Sequence, residues 1–229
     1  MIQNKRYRYV FFDLDGTLTQ SEFGILAAAI RALKHFGIEI PNDEALKKFI
    51  GPPLYVSFHD LYGLSDEDSQ EAIRIYRDYY VKKGVYQAPL YPGITEMLKK
   101  LKDAGCTLMI TTSKPETLAV TVVQNVGIFD FFDGIIGPSL DEHDPNKSIL
   151  IRRAMEKLEP DKEISSSKEW LQKCLMIGDR FYDIEAAREV GIDSIGVLYG
   201  YGTKEELSEA GATYLVEEVP GISDMILSL

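Results

Sequence analysis

Val10-Phe11-Phe12-Asp13-Leu14-Asp15-Gly16-Thr17-Leu18 decides how this chain is read. The apolar run from Tyr9 to Phe12 has the character of a strand buried on both faces. It ends abruptly in two carboxylates, then a glycine and a hydroxyl. The acids therefore emerge where the strand leaves its sheet, and in an open α/β sheet that edge is where ligands bind. Two acids one residue apart would repel each other and resist desolvation unless a cation sat between them. An EF-hand loop is excluded by count: with Asp13 as its first position, the sixth is Leu18 and the twelfth is Gly24.

Outward from this stretch, two patterns alternate. Short apolar runs fall at Tyr7–Phe12, Thr107–Thr112, Gly134–Ile136, Cys174–Ile177, Ser194–Val197 and Tyr214–Val216. Amphipathic segments of helical length lie between them, at Gly93–Ala104, Pro115–Val126, Lys147–Leu158, Asp183–Val190, Lys204–Ala210 and Gly221–Leu227. Gly105, Gly127, Gly191 and Gly211 are placed to stop helices. Thr203 with Glu206 reads as a capping box. This alternation predicts an α/β fold, a doubly wound parallel sheet with helices on both faces.

Residues 19–89 break the pattern. Helical segments at Phe23–Phe36, Asp43–Phe49, Leu54–Tyr62 and Asp66–Lys83 follow one another without a convincing strand, and Asn42 and Ser65 are good N-caps. The expected division is a catalytic core of residues 1–18 and 90–229 with an inserted all-helical cap of residues 19–89. Its two linkers, near Thr19 and Leu90, would serve as hinges.

Bulk properties narrow the function. The 229 residues suffice for one sizeable core with a small second unit. The formal net charge of −11, with no Lys/Arg stripe, argues against nucleic acid as partner. No apolar run has the length of a membrane span and Met1 to Arg8 lack a secretory pattern, so the expectation is a cytoplasmic protein without a membrane partner, monomer or homodimer. Cys106 and Cys174 each open an apolar run and read as buried free thiols.

Beyond the acidic loop, three further sites fall at strand ends or helix starts. They are Thr111-Thr112-Ser113-Lys114-Pro115, Lys147 at the start of a helix, and Gly178-Asp179-Arg180-Phe181-Tyr182-Asp183. Alone, each is weak: Thr112 could merely end a strand, Lys147 could be a solvated helix residue, and Gly-Asp is common in loops. Together they supply a nucleophile, an acid/base, hydroxyl and amide donors, a fixed cation and a carboxylate cage, which is what phosphoryl transfer to a carboxylate requires. Their order and spacing closely resemble the haloacid dehalogenase superfamily of phosphohydrolases, over nearly the whole chain. Phe49-Ile50-Gly51-Pro52-Pro53-Leu54 and Gly178-Asp179-Arg180 with Asp183 are similar to the branch containing phosphoglycolate phosphatases. Asp141–Asn146 and Glu159–Lys173 are longer than usual for that branch, which leaves Lys114 as a local competitor of Lys147.

The resemblance implies a Rossmann-like core and a set of roles. Asp13 would be the nucleophile that forms an aspartyl-phosphate, and Asp15 the acid and then the base. Mg²⁺ would be the cofactor, held by Asp13, Asp179 and the backbone carbonyl of Asp15, with Asp183 behind them or acting through water. Thr112, the amide of Ser113 and Lys147 would bind the phosphoryl group. Gly51 would lie in the cap loop that faces the leaving group. The implied substrate is a small phosphorylated metabolite, phosphoglycolate first and a nucleoside monophosphate as the nearest rival.

Other readings stand beside this one. Asp15 argues against a dehalogenase. A phosphonate hydrolase would need a cap lysine, and Lys47 and Lys48 carry no motif for it. A sugar-phosphate mutase would need a cap able to hold a bisphosphate, and Gly51-Pro52-Pro53-Leu54 offers little for that. A catalytically silent metabolite-sensing module is possible on the same fold, although every reactive side chain is present. His35, His59 and His143 read as structural, Trp170 as a packing anchor, and Tyr76–Tyr80 as a packed helix face rather than a substrate cage. Gly196–Gly202 is glycine-rich without a dinucleotide fingerprint, and there is no P-loop.

Overall fold

The computed structural model describes residues 7–39, 49–140, 146–159, 164 and 166–229. Residues 43–48 of the expected helix Asp43–Phe49, its cap Asn42, His143 and residues 141–145 of the loop Asp141–Asn146 lie outside the described residues. So do Met1 to Arg6 and part of the Glu159–Lys173 stretch.

Six parallel strands form one sheet in the order β3-β2-β1-β4-β5-β6. They are β1 Tyr9–Phe12, β2 Thr107–Thr111, β3 Gly134–Ile136, β4 Cys174–Gly178, β5 Asp193–Val197 and β6 Tyr214–Val216. β1 is central, with Phe12 opposite Ile110 of β2 on one side and Ile177 of β4 on the other. The chain runs outward from β1 in both directions, so the crevice at its C-terminal end is the topological switch point. That places the loops after β1, β2 and β4 side by side.

Side chains alternate across β1. Val10 and Phe12 pack into the core shared with α4 (Ile94–Asp103), α5 (Glu116–Asn125) and α10 (Val219–Ser228). Phe11 points to the other face, against Ile151 and Met155 of α6 (Lys147–Leu158) and Ala187 of α8 (Phe181–Val190). All three β1 side chains are fully buried, and truncating either phenylalanine to alanine would cost about 3–5 kcal/mol. Trp170, on the short α7 (Lys168–Leu171), stacks on Tyr9 with ring centroids 4.8 Å apart, the packing anchor expected. Cys106 and Cys174 are buried thiols outside any disulfide.

The described residues between 20 and 89 are helical or in turns. α1 (Glu22–His35) packs against α3 (Asp66–Lys82), and α2 (Leu54–Val56) widens into a π-helical turn over Ser57–Leu61. Ser65 caps α3 by accepting from the Asp68 amide at 3.1 Å. The two connections to the sheet run side by side: Thr19 bridges Leu90, the Gln20 amide donates to the Pro89 carbonyl, and the Tyr91 amide donates to the Leu18 carbonyl.

Three local expectations need correction. β1 starts at Tyr9 rather than Tyr7, because the Arg8 and Tyr9 amides both reach the Lys173 carbonyl while Tyr7 turns its hydroxyl to Asp193 at 2.6 Å. α8 begins two residues before Asp183, whose carboxylate accepts from the Arg180 amide and so lies inside the first turn. The Thr203–Glu206 capping box is only half formed. Thr203 caps α9 (Lys204–Ala210), but Glu206 turns its carboxylate to Arg180 and the Phe181 amide. No helix among the described residues is long and apolar enough to cross a membrane.

Candidate active site

The end of β1 delivers Asp13 into a buried position, with its amide held by the Ile177 carbonyl at 2.9 Å. The chain then turns at Gly16, whose φ of +89° disfavours any residue with a Cβ. Space forbids one as well, since a Cβ there would lie 2.3 Å from the Asp179 carboxylate. A Cβ on Gly178 would likewise meet Asp183 at 2.2 Å. Both glycines let carboxylates approach backbone that bulkier residues would hold away.

Asp13, Asp179 and Asp183 each place a carboxylate oxygen within 4.8 Å of the others, and all three are buried. Asp179 is fully inaccessible; it accepts from Thr17 Oγ1 at 3.3 Å and from the Tyr201 amide at 2.8 Å. Burial pushes its carboxyl well above the usual range, and the charges of Asp13 and Asp183 push the same way. Burial likewise raises Asp13 to about 6, opposed by Lys147 and reinforced by Asp183 and Asp15. Crowded, desolvated hard oxygens of this kind fit a small divalent cation.

Lys147, buried at the start of α6, supplies one positive charge to this cluster. Its Nζ lies 2.5 Å from Asp13 Oδ1 and 2.9 Å from Asp183 Oδ1. Burial alone would lower its pKa, but the two carboxylates outweigh that and hold it above the ordinary lysine value. Lys114 makes a separate pair with Asp15 Oδ2, and its Nζ stands 5.1 Å from the ring centroid of Tyr80 on α3. The two lysines are therefore not competitors for one place, since each neutralises a different acid of the β1 loop. Asp15 Oδ1 is buried and has no hydrogen-bond partner among the described residues. Thr112 and Ser113 follow β2 and border the same cleft; Thr112 Oγ1 accepts from the Lys114 amide at 3.2 Å, which fixes the loop before α5.

The cleft lies between the sheet and the helical segment and encloses about 1120 Å³, including its open mouth. Asp13, Asp15, Thr112, Ser113, Lys114, Lys147 and Asp183 line one end, with Gly51 and residues of α1 and α3 opposite. Every side chain singled out in the four sequence sites except Asp179 borders this space, and Asp179 sits directly behind Asp13. Arg180 crosses the cleft: Nη1 donates to the Ile50 carbonyl at 2.6 Å while Nε donates to Glu206 at 2.8 Å.

Sequence reasoning missed the loop after β5. Tyr199 donates to the Thr17 carbonyl at 2.8 Å, and the Tyr201 hydroxyl accepts from the Glu22 amide at 3.1 Å. This loop thus wraps Asp179 and touches the first connection between the sheet and the helical segment. Its glycines were the available signal: a Cβ on Gly200 would lie 2.3 Å from Asp179 Cβ.

Fold and site define a hydrolase with a buried acidic centre at the switch point of a parallel sheet. The sequence profile of the haloacid dehalogenase-like hydrolases matches residues 10–197. The chain is 34% identical to a 5′-nucleotidase of Pseudomonas aeruginosa over 97% of each sequence. It is 31% identical to a phosphoglycolate phosphatase of Vibrio vulnificus over 96% of each. The crystal structure of a predicted phosphatase from Clostridium acetobutylicum superposes with a TM-score of 0.89 at 41% identity, covering 97% of this chain and 99% of that one. The chain belongs to the haloacid dehalogenase-like hydrolases and is a phosphatase of that family.

Proposed function

We propose that this phosphatase is a Mg²⁺-dependent phosphomonoesterase of small phosphorylated metabolites that works through an aspartyl-phosphate. The observation that carries this is the buried Asp13 carboxylate, paired to Lys147 and clustered with Asp179 and Asp183 beside a solvent-open cleft.

In the first step, an Asp13 carboxylate oxygen attacks phosphorus. The bond to the leaving oxygen breaks, and Asp15 delivers a proton to it. In the second step, Asp15 takes a proton from water, the water oxygen attacks the same phosphorus, and inorganic phosphate leaves with the Asp13 carboxylate restored. The backbone amides and hydroxyls of Thr112 and Ser113, with Lys147, receive the phosphoryl oxygens. Mg²⁺, held by Asp13 and Asp179 with Asp183 and the Asp15 carbonyl nearby, would supply charge neutralisation between the nucleophile and the phosphoryl group. Lys114 holds Asp15 in place for both proton transfers.

Residues 19–89 act as the cap in this reading. Paired connections at Thr19 and Leu90 support it, as does the placement of Gly51 opposite the acids. Closure would exclude bulk water from the aspartyl-phosphate. We assign the protein to the cytoplasm. Two of the substrates that relatives are named for, phosphoglycolate and 5′-nucleotides, are small phosphomonoesters.

Steady-state hydrolysis of p-nitrophenyl phosphate with Mg²⁺ and after exhaustive EDTA treatment tests the reading, alongside the thermal shift on adding Mg²⁺. Activity that returns with Mg²⁺, and a rise in Tm on adding it, are expected. Full activity in EDTA overturns the metal assignment. No hydrolysis in Mg²⁺ favours the silent module.

A further inference from the structure

The cleft has two chemically different ends. Around Asp13 it is lined by carboxylates, lysines and hydroxyls, enough to hold a phosphoryl group. Away from Asp13 it is lined by Ile25, Phe49, Leu54, Ile73, Tyr76 and Tyr80. Four lining residues of α3, Ile73, Tyr76, Arg77 and Tyr80, follow the i, i+3, i+4, i+7 spacing and so share one helix face. The rings of Tyr76 and Tyr80 stack with centroids 5.4 Å apart and planes 14° apart. This aromatic face begins directly beside the chemistry, because the Tyr80 ring sits over Lys114 and Lys114 pairs with Asp15.

Two polar groups on this wall are unanswered. Among the described residues, half-buried Arg77 has no ion pair or hydrogen bond, and the buried Tyr80 Oη has no hydrogen-bond partner. Elsewhere on α3, Arg74 is paired with Glu71 and Lys82 with Asp78. The one basic residue of α3 that lines the cleft thus has no ion pair or hydrogen bond among the described residues.

We propose that the preferred substrate is a phosphate monoester whose leaving group carries an aromatic ring, seated against Tyr76, Tyr80 and Phe49, with an acceptor atom on the ring system for Arg77. The inference rests on the phosphatase reading above. A flat ring matches an apolar wall of stacked tyrosines by area and by edge and face contacts. A guanidinium at a desolvated rim binds a carbonyl, ring nitrogen or anionic substituent. A glycolate leaving group could answer the charge of Arg77 but offers no ring to the aromatic-lined end of the cleft. Nucleosides and simple arylmethyl alcohols share the required chemistry, and the test separates them.

The test compares kcat/KM among primary alkyl esters, so that leaving-group acidity does not decide the outcome. Purine nucleoside 5′-monophosphate is set against ribose 5-phosphate, and benzyl phosphate against n-propyl phosphate, with phosphoglycolate alongside. Tyr76→Leu keeps apolar bulk without the ring, Arg77→Met keeps the stem without the charge, and thermal melts confirm that both fold. We expect the ring-bearing member of at least one pair to lead its partner and phosphoglycolate by tenfold or more. Tyr76→Leu should remove most of that lead while changing the ring-free esters less than threefold. A lead in the first pair alone assigns a nucleoside, and Arg77→Met should then reduce it. A lead in both assigns any arylmethyl group. Ring-bearing and ring-free esters within threefold of each other, or phosphoglycolate in front, overturn the inference and leave the phosphatase reading intact. If no ester is hydrolysed, calorimetric binding to the wild type decides. Tenfold tighter binding of a ring-bearing ester upholds the aromatic site while the phosphatase reading falls, and equal binding overturns both.

Discussion

Arg180 Nη1 donates to the backbone carbonyl of Ile50 at 2.6 Å, so the residue after Asp179, in the loop that leaves β4, also grips the loop of the helical segment that faces the acids. The grip is shaped by Gly51. Its φ of +107° belongs to glycine, and a Cβ there would come within 3.2 Å of Arg180 Nη1. Glu206 fixes the guanidinium from the other side. One cation thus ties the loop after β4, α9 and the loop before α2 together. Of its side-chain bonds, the one to Ile50 crosses to the helical segment.

Gly51→Trp should therefore disturb closure without touching the acids. It should lower kcat/KM on the preferred substrate by at least tenfold, about 1.4 kcal/mol of transition-state binding. The Mg²⁺-dependent shift in Tm should stay as in wild type. Arg180→Gln should give a smaller loss with the same pattern. Wild-type kcat/KM for the tryptophan variant across several substrates would remove the Ile50–Leu54 loop from any role in closure.

Asp13→Asn tests the nucleophile. The amide is nearly isosteric, and Lys147 keeps its partner in Asp183 at 2.9 Å, so the fold should survive. Turnover should fall by about three orders of magnitude or more, since no neighbouring carboxylate can replace the covalent step. Retention of a tenth of wild-type kcat would reject covalent catalysis at this residue. Stopped reactions analysed by intact mass should show a phosphoryl adduct in wild type and none in the variant.

Asp179 predicts a trade of stability against function. Its folded pKa lies well above the ordinary 3.8, chiefly through burial. The unfolded chain therefore releases this proton first as pH rises. The native state loses stability from the unfolded value up to the raised one, and the full penalty persists above it. In EDTA at pH 7.5, Asp179→Asn removes that penalty. The Thr17 hydroxyl can turn to accept from the new amide while the Tyr201 amide keeps its acceptor. The variant should melt higher than wild type by several degrees, given that about 1 kcal/mol moves Tm by roughly 2–4 °C for a chain of this size. The gain should shrink as pH falls towards 4, and added Mg²⁺ should stabilise wild type only. An unchanged or lowered Tm in EDTA would show that Asp179 is not a destabilising charge in the metal-free protein.

What the sequence revealed and what it hid have a common cause. The β1 loop, the parallel sheet, the Ser65 cap and the helix limits at Lys147–Leu158 and Lys204–Ala210 depend on neighbouring residues, and local pattern carries them. The half-formed capping box failed for the opposite reason. Glu206 satisfies the local motif, but a guanidinium 26 positions away offers a charge-assisted bond that the local motif cannot match. The same holds for Lys114 and Asp15, separated by 99 positions, and for the Tyr201 amide on Asp179. Tyr76 and Tyr80 are the packed helix face expected from their spacing, and they also line the cleft, because a helix face at a domain edge can do both. Periodicity reports that a residue is buried, not what it is buried against.

The separate pairings of Lys147 and Lys114 give the last prediction. Lys147 is 7% exposed and holds two carboxylates that are themselves buried. Lys147→Met would leave both without their cation. Breaking a buried pair by removing one partner costs about 3–5 kcal/mol, so in EDTA the variant should melt well below wild type. Added Mg²⁺ should recover part of that loss, because a divalent ion can replace the missing charge beside Asp13 and Asp183. Lys114→Met removes a different charge. Asp15 keeps some solvent access, with a side chain 14% exposed, so the stability loss should be smaller and Mg²⁺ should not repair it. Its main effect should fall on kcat, since Asp15 then has no fixed partner. Lys147→Met should weaken phosphate inhibition more than Lys114→Met does. Melts of both variants with and without Mg²⁺, together with inhibition by inorganic phosphate, separate the roles. Equal melting losses, equally repaired by Mg²⁺, would mean that the two lysines serve one shared charge cluster rather than one acid each.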